Sequence, residues 1–172
     1  MRTEFIQDAF ESTAEYESVG IVSNQLLEHL NLPASRALLK EANLPGHSSA
    51  TVQATFETFS RDLGFVSEAK GLFAEYETSA LRPDYYLDLG ASGILLEVER
   101  GKTTTNNMDL LDLWKCHICT HAHYLFLLVP QALFHNTSMS PKKEYNSVVK
   151  RLGSFFALGN ETNVRGLHIF GY

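Results

Sequence analysis

The stretch Asp84-Tyr85-Tyr86-Leu87-Asp88-Leu89-Gly90-Ala91-Ser92-Gly93-Ile94-Leu95-Leu96-Glu97-Val98-Glu99 decides how this chain is read. Two runs of strand-forming residues flank a turn-forming segment at 90–93, the signature of a β-hairpin. With 90–93 as the loop, Leu89 pairs with Ile94, Tyr86 with Glu97, and Asp84 with Glu99. Alternation then sorts the side chains. Tyr85, Leu87, Leu89, Ile94, Leu96 and Val98 make an apolar face, while Asp84, Tyr86, Asp88, Glu97 and Glu99 share the other. A slip of one residue would send one strand's set to the wrong face. Asp84, Glu97 and Glu99 repel one another, and the lead-in Ile94-Leu95-Leu96 marks their strand as buried, where unpaired acids are expensive. Basic partners would relieve the repulsion, and so would a hard divalent cation bound through oxygen.

Outward from the hairpin, the pattern predicts a mixed α/β fold of the α+β kind, a central sheet flanked by helices. Downstream, 106–119 reads as a helix with Met108, Leu111, Leu113 and Trp114 inward, capped by a hydroxyl of Thr103, Thr104 or Thr105. The unbroken apolar run 124–129, closed by Pro130, marks a strand buried on both faces. A helix over 142–158 carries Tyr145, Val148, Val149, Leu152, Phe155 and Phe156 inward, and 167–170 is a last strand. Upstream, 49–63 is helical through Val52, Phe56, Phe59 and Leu63, followed by strand-like text at 65–73 and 76–81.

The N-terminal segment 1–45 reads as helical, joined by a linker at 44–48 to a core at 46–172. Ser23 caps a helix over 24–30 with Leu26, Leu27 and Leu30 on one stripe; Pro33 restarts a helix over 34–42 with Leu38 and Leu39 inward. This pair fits a helix-turn-helix with Arg36 and Lys40 on phosphates, or an ordinary helical hairpin packed on the core, the commoner outcome.

The chain has 172 residues, 44% of them apolar, with 11 Phe and 7 Tyr, enough to bury one core and to exclude a disordered chain. Its longest apolar run is too short for a bilayer, the N-terminus lacks a secretory signal, and two cysteines make no disulfide framework. The expectation is a cytoplasmic protein without a membrane partner. The net charge of −6 divides unevenly: residues 1–99 hold 16 acidic and 6 basic side chains, residues 100–172 hold 4 and 8. A basic face can therefore lie beside an acidic pocket. Glycine-rich phosphate loops and the Gly-X-Ser-X-Gly elbow are absent. Cys116, His117, Cys119, His121 and His123 have spacing for half a zinc site, but buried thiols and helix-end histidines are the simpler account.

Arg82-Pro83-Asp84, followed by Leu95-Leu96-Glu97-Val98-Glu99-Arg100-Gly101-Lys102, resembles the active-site motif of the PD-(D/E)XK nuclease superfamily: Pro-Asp, a hairpin, then acid-X-Lys on the next strand. The likeness covers residues 49–130. It implies a restriction-endonuclease-like core and a metal-dependent endonuclease that hydrolyses double-stranded DNA, in the manner of a type II restriction enzyme acting as a homodimer. Its cofactor would be Mg²⁺, with Mn²⁺ as substitute. Carried over, Asp84 and Glu97 are metal ligands. Glu99 stands where the motif usually has Lys, as in some restriction endonucleases, and would orient the attacking water or ligate a second ion. Lys102, or Lys115 from the next helix, would supply the missing positive charge. Glu57 is the acid that the family often adds from its first core helix. Arg82, Arg100, Lys102 and Lys115 would hold the nucleic-acid backbone, joined by Arg36 and Lys40, with bases read by the N-terminal helices or the 131–141 loop. The same residues also resemble nuclease-like proteins of plasmid or phage replication, and a non-catalytic DNA-binding module would equally lack Lys at position 99.

Overall fold

The hairpin forms near one side of a six-stranded mixed sheet with helices on both faces. The computed structural model describes residues 1–67, 71–76, 81–133 and 141–172. Its strands are β1 (Arg2–Ile6), β2 (Val66–Ser67), β3 (Tyr85–Asp88), β4 (Gly93–Val98), β5 (Tyr124–Val129) and β6 (Gly166–Gly171), in the order β1-β6-β5-β4-β3-β2. β4, β5 and β6 run parallel, and the remaining neighbours are antiparallel. β5 is buried at every position, as its apolar run requires. Tyr124, Phe126 and Leu128 face one core, and Leu125, Leu127 and Val129 face the other.

Helices α1 (Ala14–Asn31), α2 (Pro33–Ala42) and α3 (Ser49–Ala54) bring Val19, Leu26, Leu39 and Val52 to the first core, and α4 (Glu57–Asp62) follows them. The parallel crossovers α5 (Met108–Ile118) and α6 (Glu144–Gly153) bring Leu113, Cys116, Val148 and Leu152 to the second. Among the described residues, no helix is long and apolar enough to cross a membrane.

The hairpin register differs from the expected one by two residues. Leu87 pairs with Ile94 and Asp88 with Gly93, because the turn closes one step earlier through Leu89 N–H donating to Ser92 O at 2.9 Å. An even shift keeps every side chain on its face, so the apolar and acidic sets survive. It also brings Asp84 beside Glu97 instead of Glu99. Gly93 is needed at the crossing: a Cβ there would stand 2.5 Å from the Tyr86 ring and 2.7 Å from Leu87 O.

Other expectations give way. Residues 2–6 are an edge strand, so the first 45 residues are not helical throughout, and α1 shares the core of β5. Thr13, not Ser23, caps α1, its Oγ1 accepting from Tyr16 N–H at 3.2 Å. Ser23 is buried mid-helix, 2.8 Å from His168 Nδ1. On α2, Leu39 is buried, but Leu38 is 54% exposed. The expected 49–63 helix breaks in two at 55–56. Residues 71–73, read as strand, form turns, whereas 68–70 and 77–80, also read as strand, lie outside the described residues. No threonine side chain caps α5; it starts from Asn107 in the left-handed region, with Met108 N–H donating to Thr103 O at 2.8 Å. Trp114 is 42% exposed, and Phe155, beyond the end of α6, is also exposed.

Candidate active site

The acids gather at the carboxyl end of β4, where open α/β sheets place their ligands. Along β4 the backbone N–H groups alternate between neighbours. Glu99 N–H donates to Leu128 O of β5 at 2.8 Å, so Val98 N–H faces the other side, beyond the start of β3. Asp84 Oδ2 accepts it at 2.8 Å, and Asp84 N–H donates to Glu97 Oε2 at 3.2 Å. The two carboxylates are thus locked side by side where the β3–β4 ladder ends.

Beneath them α5 presents Asp109, Asp112 and Lys115, spaced by threes on one helix face and all buried. Lys115 Nζ donates to Glu97 Oε1 at 2.8 Å and to Asp112 Oδ1 at 2.9 Å. Asp112 Oδ2 has no donor among the described residues. Asp109 is held by the Arg151 guanidinium, which also bonds Thr104 O and Asn107 Oδ1, both at 3.1 Å. Glu144 Oε1 accepts from Thr104 N–H at 2.8 Å. Two residues of α6 therefore hold the loop between β4 and α5.

One ammonium serves several acids, and the titration behaviour reflects it. Burial and then Asp112 push Glu97 well above the usual carboxylate range, with Lys115 opposing. Glu99 is pushed up to about 8 by burial, then by Asp112 and Asp84. Asp112 is raised to about 6, chiefly by burial, against the pull of Lys115. For Lys115 burial works against the charge, but Glu97 and Asp112 outweigh it and hold the ammonium protonated. Acids raised together in a cleft are what a site for a cation or a proton looks like.

The cleft above has a volume of 630 Å³, and its lining includes Asp84, Glu97, Glu99, Arg100, Lys102 and Gln53. Five of these were legible as site residues; Gln53 was not. Glu57 instead lies exposed, paired with Arg61 at 3.1 Å, and does not line the cleft. Its turn of helix points outward, a consequence of the break at 55–56. Arg82 is exposed two residues before Asp84. Arg100 is committed to backbone, donating to Leu44 O at 2.5 Å and Ala42 O at 3.4 Å, so it anchors the segment after α2. Lys102 is exposed at the rim, with φ 59°. Lys115 is too deep to grip a nucleic-acid backbone, because it is drawn under Glu97. Arg36 and Lys40 border a different cavity. Of the 131–141 loop, residues 134–140 lie outside the described residues.

The cysteine–histidine cluster disperses. Cys116 and Cys119 are buried thiols, both raised above their ordinary value first by burial, while His117 meets Thr162, His121 faces Glu75 and His123 meets Ser92. Among the described residues no group of three or more His, Cys, Asp or Glu is arranged to hold a metal ion. The pair Asp84–Glu97 still fits a hard cation such as Mg²⁺, which takes one or two carboxylates and completes its shell with water and phosphate oxygens. The donors are oxygens, and the Asp84 N–H to Glu97 Oε2 hydrogen bond holds the two residues next to each other. A scan against protein-family models and a search of curated proteins find no match to this chain.

Proposed function

We propose that this protein is a metal-dependent nuclease that hydrolyses phosphodiester bonds in the cleft over Asp84 and Glu97. The observation that carries the reading is the interlocked Asp84–Glu97 pair at the carboxyl end of β4, with Lys115 beneath it and Glu99 beside it. Asp84 and Glu97 would hold Mg²⁺, which supplies polarisation of the scissile phosphate and a more acidic bound water. Lys115 fixes the Glu97 carboxylate and keeps positive charge under the reacting phosphate. Glu99, pushed up to about 8, can hold a water by hydrogen bond and accepts its proton once pH rises through that value. Lys102 at the rim would meet backbone phosphates. The resemblance of the motif supports the finer reading of a type II restriction-like endonuclease that cuts double-stranded DNA as a homodimer.

The test is nicking and linearisation of supercoiled plasmid with Mg²⁺ or Mn²⁺, with Asp84→Ala alongside. Cleavage by the parent alone supports the site; equal cleavage by both, or by neither, removes it. A non-catalytic DNA-binding module is the second reading, favoured by the fact that Asp84 and Glu97 already have partners within the protein. A calorimetric Mn²⁺ titration without heat, unchanged in Glu97→Ala, would select it.

A further inference from the structure

A second cavity, of 700 Å³, opens at the same end of the sheet, beyond the carboxyl ends of β5 and β6. Leu39, Leu44, Pro45 and Tyr172 form part of its apolar wall. It adjoins the acidic cleft at two residues. Pro45 borders both, and Tyr172 lines the second cavity while its hydroxyl donates to Glu99 O at 2.7 Å.

The polar groups here differ in kind from those of the cleft. Among the described residues no Asp or Glu side chain lines this cavity, but Arg36 and Lys40 do. Among the described residues neither has a carboxylate partner, and the Arg36 guanidinium donates to the neutral Asn31 Oδ1 at 2.6 Å. Asn43 donates from Nδ2 to Ala132 O at 3.3 Å, which leaves its buried Oδ1 with no donor. The complement to these walls is a flat apolar body that brings an N–H donor and an attached anion. A nucleobase with its phosphate has all three features. A fatty acid lacks the donor and has no reason to continue past Pro45 into an acidic cleft.

We infer that this cavity holds one unstacked nucleotide of the strand whose backbone crosses the acidic cleft: a duplex substrate is opened locally there, and a free single strand, which pays no unpairing cost, binds more tightly. The base lies against Pro45 and Tyr172 with its N–H toward Asn43 Oδ1, and the phosphate lies between Arg36 and Lys40. The volume is in the range of small-ligand pockets. The placement of the strand rests on the nuclease reading, but binding in the cavity requires neither metal nor cleavage.

The experiment is fluorescence anisotropy in EDTA on the full chain, with a labelled single strand of about a dozen nucleotides and a blunt duplex of the same length. The single strand should bind about tenfold more tightly than the duplex. Arg36→Gln with Lys40→Gln should weaken the strand about tenfold and reduce the salt slope by about 1.4, the loss of two phosphate contacts. Asn43→Leu should weaken it with the slope unchanged, and thermal melts by circular dichroism check that the variants are folded. Duplex bound as tightly as single strand, an unaltered slope in the double variant, or displacement of the strand by laurate would each overturn the inference. Plasmid left uncut while these binding results hold removes the nuclease reading alone; cleavage with no strand preference removes the nucleotide cavity alone.

Discussion

Replacing Lys115 with methionine probes the electrostatics on which the site depends. The ammonium lies 2.8 Å from Glu97 and 2.9 Å from Asp112, and all three side chains are almost wholly buried. Methionine keeps much of the alkyl stem, so charge is the main loss. Two carboxylates then remain inside without their cation. Removing one partner of a buried pair costs about 3–5 kcal/mol, whereas an exposed pair contributes at most about 1 kcal/mol. The acids can escape by taking up protons. Both already lie above their ordinary values, burial being the first cause, and the loss of Lys115 raises them further. A folded state that holds protons the unfolded chain has released is favoured at low pH and loses that advantage as pH rises through the folded values. Lys115→Met should therefore show a small deficit near pH 5 and about 3–5 kcal/mol at pH 8, or a melting temperature lower by roughly 10 °C. Urea unfolding in EDTA, followed by far-UV circular dichroism at both pH values, measures it. Neutralising all three positions (Glu97→Gln, Asp112→Asn, Lys115→Met) should recover most of the loss, and Mg²⁺ should stabilise the single variant more than the parent. A deficit below about 1 kcal/mol at pH 8, or one that does not change with pH, would refute the reasoning.

Two further outcomes follow from the same cleft. Glu99 titrates about 8, above its unfolded value of 4.5, so its contribution to stability is fully present below pH 4.5 and is lost as pH rises through 8. Glu99→Gln in EDTA should match the parent in thermal melts near pH 5 and melt higher at pH 8 and above; a variant that melts lower there contradicts the assignment. Lys102 holds φ 59°, a conformation that costs a non-glycine residue about 1–2 kcal/mol, partly offset in Lys102→Gly by glycine's greater unfolded-state freedom. The variant should gain about 0.5–1 kcal/mol in urea unfolding. It should also bind duplex DNA more weakly, with a salt slope lower by about 0.9. A loss of stability would mean that the lysine side chain, not its backbone, governs the loop.

The parts of the fold that were readable are those where a local pattern carries the whole constraint. β5 is uniformly apolar because both of its faces are covered, and nothing distant alters that. The hairpin faces were readable because alternation survives an even shift, whereas the register was not, since it depends on where residues 89–92 close their hydrogen bond. β1 was missed for a different reason. Arg2-Thr3-Glu4-Phe5-Ile6 gains its strand conformation from β6, at the other end of the chain, and no local signal announces a partner that far away.

The misreading of α5 is the informative one. Taking Met108, Leu111, Leu113 and Trp114 as one inward set turned Trp114 toward the core, whereas the structure exposes it and buries Asp109, Asp112 and Lys115 together with Leu113. The signal was present in the spacing by threes of two acids and a lysine on one face, directly after a strand that already carried two acids. Hydrophobic periodicity fails at such a helix because the polar face is the one turned inward. Folding alone does not ask for this arrangement: replacing a buried ion pair by apolar side chains of similar volume is often neutral or stabilising. A helix that turns its tryptophan outward to bring a lysine under Glu97 gives up apolar burial for electrostatics. That exchange places the reason for Lys115 and Asp112 in the cleft above them, where Asp84, Glu97 and Glu99 meet.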